Sequence, residues 1–179
     1  MRKVVAAEYL TLDGVMENPA WTAPYWNEEL AQLQHDLNFS SDALLLGRVT
    51  YEGFAAAWPT MTDAEQFAER MNSLPKFVAS RTLATTEWNA RLLQGDVAEA
   101  VAQLKRQPGQ NLLIYGSGQL TEYLRQHGLV DEYRLMVFPT VLGSGKRLFT
   151  EGFGSDFRLT NTVTTSAGVV VLTYERASA

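Results

Sequence analysis

Cysteine is absent from the 179 residues. Its absence excludes disulfide staples, thiolate nucleophiles and Cys-ligated zinc. Histidine is scarce: only His35 and His127 occur, too few for a His-rich metal centre, so no metal is expected. Basic residues are in deficit, 15 Lys and Arg against 20 Asp and Glu. A net charge of −5 argues against a protein that holds nucleic acid through bulk electrostatics. No run approaches the roughly 20 apolar residues of a membrane span. Met1-Arg2-Lys3 is basic, but the apolar stretch behind it meets a charge at Glu8, too soon for a signal peptide. These deficits leave a soluble, cytoplasmic protein as the expectation, with neither nucleic acid nor membrane as partner.

What is present suffices for a packed core. Apolar residues make up 46% of the chain and charged ones 20%, a globular balance rather than a disordered one. The length is near one domain's worth, so residues 1–179 are read as a single domain. No repeat, low-complexity tract or linker interrupts it. Short apolar runs predict strands over 4–9, 43–46, 76–80 and 112–115. Helical spacing of Leu30, Leu33 and Leu37 predicts a helix over 26–38, and further helices are expected over 49–58 and 63–71. Asp96-x-x-Glu99 reads as a capping box opening a helix with Val97, Val101 and Leu104. Another helix follows Gly116-Ser117-Gly118 and closes at Gly128. From residue 132 onward the rhythm changes, with strands expected over 133–138, 157–165 and 169–176 and no helix between them. Between the first strand and first helix, residues 10–24 read as a long loop, a length that usually serves function.

Alternating strands and helices imply a mostly parallel sheet covered on both faces. The expected fold is three-layer α/β/α, its sheet mixed because the C-terminal strands pair antiparallel. In such sheets ligands bind beyond the carboxyl ends of the strands. Three strand ends carry chemistry suited to a phosphorylated ligand. At Leu46-Gly47-Arg48-Val49-Thr50, Gly47 permits a sharp turn, Arg48 offers a forked charged contact and Thr50 a hydroxyl. The residues Ser80-Arg81-Thr82 offer two hydroxyls and a guanidinium, a set that suits a 2′-phosphate, where a bare ribose would call for a carboxylate. At Tyr115-Gly116-Ser117-Gly118-Gln119-Leu120, two glycines can admit a pyrophosphate onto a helix N-terminus. Each alone also fits an ordinary strand-to-helix turn or a surface loop. Their conjunction is the stronger signal.

These residues resemble the dihydrofolate reductase-like superfamily. Gly47-Arg48-x-Thr50-Tyr51-Glu52 is similar to its Gly-Arg-x-Thr-aromatic-Glu motif, and Gly116-Ser117-Gly118 to its glycine turn. The nearer resemblance is to the stand-alone C-terminal reductase domain of the bifunctional riboflavin-biosynthesis deaminase-reductase. It rests on Thr11-Leu12-Asp13-Gly14, on Leu129-Val130-Asp131-Glu132, and on Pro139-Thr140-Val141-Leu142-Gly143-Ser144-Gly145 with Leu148-Phe149. The deaminase half is absent, and a chain without cysteine lacks its zinc ligands. The resemblance implies an NADPH-dependent reductase of a small heterocyclic or carbonyl substrate, with a phosphoribosylamino-pyrimidine first among candidates. It also implies a homodimer.

By that resemblance Gly47, Arg48, Thr50, Ser80, Arg81, Thr82, Gly116, Ser117, Gly118, Gln119 and Leu120 would hold the cofactor. Asp13 is the candidate for gripping substrate, though an Asp-Gly turn explains it equally. Trp21 and Trp26 could stack on a flat ring, and Glu28 could hold a pyrimidine edge. Core packing and a solvated helix face are the bland alternatives. Gly143-Ser144-Gly145-Lys146-Arg147 is a second candidate anion loop. Glu52 is expected to pack or pair within the fold. True dihydrofolate reductases place a carboxylate near the position of Trp26, a departure that counts against folate reduction. A pterin reductase and a catalytically silent NADP-binding module remain as the alternatives.

Overall fold

The computed structural model describes residues 1–62, 66–152 and 154–177. Five apolar segments become β1 (Val4–Leu10), β2 (Ser41–Gly47), β3 (Lys76–Ala79), β5 (Asn111–Tyr115) and β6 (Glu132–Val137), with a short β4 (Ala90–Leu92) between β3 and β5. They lie parallel, and β7 (Phe157–Thr164) and β8 (Val170–Arg176) close one side antiparallel. The sheet order is β4-β3-β2-β5-β1-β6-β8-β7. The mixed sheet with an antiparallel C-terminal pair is therefore as expected. The parallel run extends one strand further than the change of rhythm suggested, because β6 pairs parallel with β1.

Helices cover both faces. On one side α1 (Glu28–Phe39), α2 (Arg48–Ala57) and α3 (Phe67–Ser73) pack Leu37, Tyr51 and Met71 onto Val5, Leu44, Leu46 and Leu113. On the other, α4 (Val97–Arg106) and α5 (Gly118–Gln126) pack Val101, Leu104, Leu120 and Leu124 onto Val4, Ala6, Leu45 and Ile114. Strands buried on both faces read as continuous apolar runs for this reason. Each fully buried Leu or Val contributes roughly 1.5–3 kcal/mol relative to an exposed one. A third cluster joins Leu30 of α1 to Met136, Phe138, Val169 and Val171 at the antiparallel end.

Two features depart from expectation. The long loop contains a 3-10 helix, Pro19–Tyr25, started by the fixed φ of Pro19. The strand β4 was missed because its three residues carry no alternation to read. The helix expected over 63–71 is described from Phe67, and 63–65 lie outside the described residues.

Candidate functional site

Every parallel strand ends in a loop on the same rim, and these loops enclose one large cleft of about 1890 Å³. Its walls include Gly47, Arg48 and Thr50 after β2, and Ser80, Arg81 and Thr82 after β3. Gly116, Ser117, Gly118, Gln119 and Leu120 after β5 complete that side. The three strand ends assigned to a phosphorylated ligand therefore converge.

Two of these loops are stapled together. The Gly47 N–H donates to Ser117 Oγ at 2.9 Å, and the Ser117 N–H donates to Thr50 Oγ1 at 3.1 Å. Gly116 and Ser117 both adopt left-handed backbone, φ 55° and 58°, which turns β5 sharply into α5. A Cβ on Gly118 would stand 2.7 Å from Met16 Sδ, so a side chain there would crowd the wall of the cleft.

Helix capping separates the helices by role. Asn27 and Asp96 cap α1 and α4 with their side chains, accepting from Leu30 and Glu99 N–H groups. In contrast, α2 and α5 begin at Gly47 and Ser117 without a side-chain cap. Their first N–H groups thus face the cleft as open donors, the chemistry that holds a phosphate. Arg48 reaches Glu52 at 2.9 Å, but both ends are exposed and such a pair is weak. Glu52 thus pairs at the surface and does not pack inside. Arg81 is exposed and makes no ion pair among the described residues. Ser80 Oγ accepts from the Thr82 and Leu83 N–H groups, which shapes that loop and leaves the hydroxyl proton free to donate.

At the other end of the cleft stand Met16, Glu17, Trp26, Ala31, Gln34, Lys146 and Arg147. Trp26 packs edge-on to Tyr9, ring centroids 6.0 Å apart, and presents its remaining face outward. Gln34 donates to the Tyr9 hydroxyl at 2.9 Å, and its Oε1 is buried without a partner.

Three residues assigned to substrate from the sequence lie outside this lining. Asp13 takes the Thr11 hydroxyl at 2.6 Å and the Gly143 N–H at 2.8 Å, clasping the loop after β1 to the loop after β6. These hydrogen bonds, the one from Thr11 foremost, hold its carboxyl down at about 2. Trp21 packs edge-on to Phe138 at 5.5 Å and donates its indole N–H to the Glu17 carbonyl. Glu28 opens α1 in the first turn, where a carboxylate suits the helix dipole.

The sequence reading passed over a residue on the cleft wall. Glu8, on the central strand β1, is only 2% exposed. Its carboxyl accepts from the Thr121 hydroxyl at 3.4 Å and from the Gly116 N–H. Burial pushes this carboxyl well above the usual carboxylate range. The signal was available: a charge near the carboxyl end of a central, otherwise apolar strand.

Among the described residues no cluster of His, Cys, Asp or Glu could hold a metal ion. No helix among them is long and apolar enough to cross a membrane.

An eight-stranded mixed sheet in this order, with helices on both faces, is the dihydrofolate reductase-like α/β fold. The dihydrofolate reductase of Schistosoma mansoni superposes with a TM-score of 0.66 at 11% identity, over 98% of this chain and 99% of that one. Within the class, the chain belongs to the RibD C-terminal domain family, which matches residues 2–171. YyaP of Bacillus subtilis, an uncharacterized protein, is 30% identical over 182 residues, 97% of this chain and 94% of its own. Similar solved folds include a Shewanella sp. PV-4 protein provisionally named for riboflavin biosynthesis. It has a TM-score of 0.79 at 21% identity, over 98% of this chain and 99% of that one. A diaminohydroxyphosphoribosylaminopyrimidine deaminase/5-amino-6-(5-phosphoribosylamino)uracil reductase of Thermotoga maritima is a further match. Its TM-score is 0.68 at 15% identity, over 98% of this chain but 57% of that longer one.

Proposed function

We propose that the chain is an NADPH-dependent reductase of a small heterocyclic or carbonyl substrate, with 5-amino-6-(5-phosphoribosylamino)uracil as the first compound to test. One observation carries this reading: every residue assigned to the dinucleotide from the sequence lines a single cleft. When bound, the reduced nicotinamide supplies the hydride, so the protein need only bind, orient and stabilise charge.

The residues present fit such a cofactor. The open N-termini of α2 and α5 would take the diphosphate, and the Thr50–Ser117 staple sets their spacing. Arg81, with Ser80 and Thr82 beside it, would read the 2′-phosphate. Trp26 offers an apolar face to a planar ring, and Gln34 Oε1 offers it an acceptor. Lys146 and Arg147, at the β6 end of the cleft, would meet a substrate phosphate. Asp13 serves by fixing the loop that carries them. A homodimer accompanies this reading, since β7 leaves one edge of the sheet unpaired and exposed. Light scattering that shows a monomer at every concentration overturns that part.

Following NADPH absorbance in the presence of the pyrimidine tests the main reading. Steady oxidation is the expected result. Tight binding with no turnover on pyrimidine or pterin substrates would instead establish a silent NADP-binding module.

A further inference from the structure

We propose that the substrate of this reductase carries an uncharged aromatic arm, and that the arm lies in a crevice between α1 and α2 that Gly53 leaves open. The inference rests on the functional reading above and names the class of substrate within it.

The crevice belongs to the α1 face of the sheet. Successive residues of a strand alternate between faces, so Ala7 and Tyr9 of β1 look toward α1 while Glu8 looks toward Thr121 of α5. Tyr115 of β5 lies on the same face as Ala7. It shows the cleft its ring, since its hydroxyl is buried beside the Asn38 side chain. From this floor α1 forms one wall and α2 the other, bringing Ala31 and Phe54 to the cleft. The 3-10 turn Trp58–Thr60 and α3, which packs on α1, close the far end with Trp58 and Phe67. Phe54, Trp58 and Phe67 are half-buried and form one aromatic run, successive ring centroids 6.3 Å and 5.5 Å apart.

Gly53 sits beside that run, inside α2 and on the cleft wall. Its backbone is not left-handed, and a Cβ there would meet nothing within 4 Å. Neither conformation nor packing therefore requires glycine, and glycine weakens a helix interior relative to alanine. Its missing side chain keeps the wall of α2 low where a ligand would pass. The residue that α1 brings to the crevice, Ala31, is small as well.

The occupant follows from charge. Among the described residues, the floor and walls carry no charged side chain facing the crevice. Arg48 at the start of α2 turns to Glu52, and Lys146 and Arg147 stand at the β6 end of the cleft. An anionic arm would lose its water here without gaining a cation. A substrate phosphate therefore suits Lys146 and Arg147, and the dinucleotide suits the loops after β2, β3 and β5. Neither fills the crevice. A flat, uncharged ring does, by edge and face contacts with the aromatic run.

The test uses ligands that cannot be reduced, bound to the NADPH complex of the whole protein. Two share a uracil head: 5-amino-6-(benzylamino)uracil has an uncharged aromatic arm, and 5-amino-6-(2-hydroxyethylamino)uracil a polar one. Calorimetry is expected to show the benzyl compound binding at least about tenfold more tightly. In Gly53→Leu, whose side chain fills the slot and favours the helix, that preference should shrink to about twofold or less. Gly53→Ala, which adds a single methyl, should lie between. NADPH affinity within about twofold of the parent reports a folded cleft in both variants. The neutral fluorescent probe N-phenyl-1-naphthylamine, which lacks the uracil head, should brighten on the parent and not on Gly53→Leu. Equal binding of the two arms by the parent, or a preference undiminished in both variants, overturns the crevice assignment alone. Should neither uracil bind, the probe decides: a signal lost in Gly53→Leu upholds the crevice, and no signal on the parent overturns it. A parent that binds no NADPH overturns the functional reading and the substrate arm with it.

Discussion

Arg48 and Arg81 carry the same charge into one cleft but stand in different circumstances. Arg48 already meets Glu52, whereas Arg81 has no ion pair among the described residues and flanks two hydroxyls. A charge-assisted hydrogen bond to a 2′-phosphate is worth about 1.5–3 kcal/mol. Arg81→Ala should therefore weaken NADPH by about tenfold or more and leave NADH nearly unchanged, as read by fluorescence titration. Arg48→Ala should act more weakly. An unchanged NADPH/NADH preference in both variants would remove the 2′-phosphate assignment. Thr50 acts through the backbone, since its hydroxyl accepts the Ser117 N–H. Thr50→Val leaves that donor short of a partner, at about 1–3 kcal/mol, and should weaken NADPH and NADH alike. At this scale the sequence was informative where chemistry follows from local backbone. Gly116 and Gly47 mark turns, and a turn at a strand end is legible as a string of letters. The clasp of Asp13 onto Gly143 was not, because its partner lies 130 positions away. Glu8 escaped for a related reason: only the assembled sheet shows that it lies at the centre and is buried.

Elements divide into those closed by their own side chains and those left open toward the cleft. Asn27 closes α1 by accepting the Leu30 N–H at 3.0 Å, and α1 in turn brings Ala31 and Gln34 to the cleft. Asn27→Ala should lower stability by about 1 kcal/mol in denaturant unfolding. A variant as stable as the parent would show that the cap contributes nothing. Strand β3 holds a different device. Lys76 is fully buried, donates to the Asn72 carbonyl at 2.9 Å and lies 3.9 Å over the Trp88 ring. Burial draws its amine down to about 8, whereas an unfolded lysine titrates near ~10.4. Between these values the unfolded chain binds more protons than the folded one, so stability rises with pH. Below about 8 both states are charged and the slope disappears. The unfolding midpoint should therefore climb from pH 8 to pH 10, and Lys76→Met should flatten the climb. A midpoint that falls across that window in the parent would refute the burial of a charged Lys76. The apolar runs made most strands legible, and the Asp96 cap placed α4. Three-residue β4 and the 3-10 helix inside the long loop were not legible, since neither is long enough to impose a period.

The whole molecule is tied together by its cleft. Segments from near residue 7, residue 47, residue 80, residue 116 and residue 146 reach one rim although they are far apart in the chain. They meet because the parallel strands, all but β3 returning through a helix, point their carboxyl ends the same way. A ligand spanning those loops binds only the folded chain and so stabilises it as a whole by mass action. At a hundredfold excess over Kd the gain is about 2.7 kcal/mol. For a domain of this size each kcal/mol raises Tm by roughly 2–4 °C, so NADPH should raise it by about 5–10 °C in a thermal scan. NADH at the same concentration should raise it less, because it offers Arg81 no 2′-phosphate. The difference between the two should disappear in Arg81→Ala, while Asp13→Asn, outside the cleft lining, should preserve it. Equal shifts from NADPH and NADH in the parent would deny the cleft its preference for the phosphorylated cofactor. No shift from either would deny it the dinucleotide altogether.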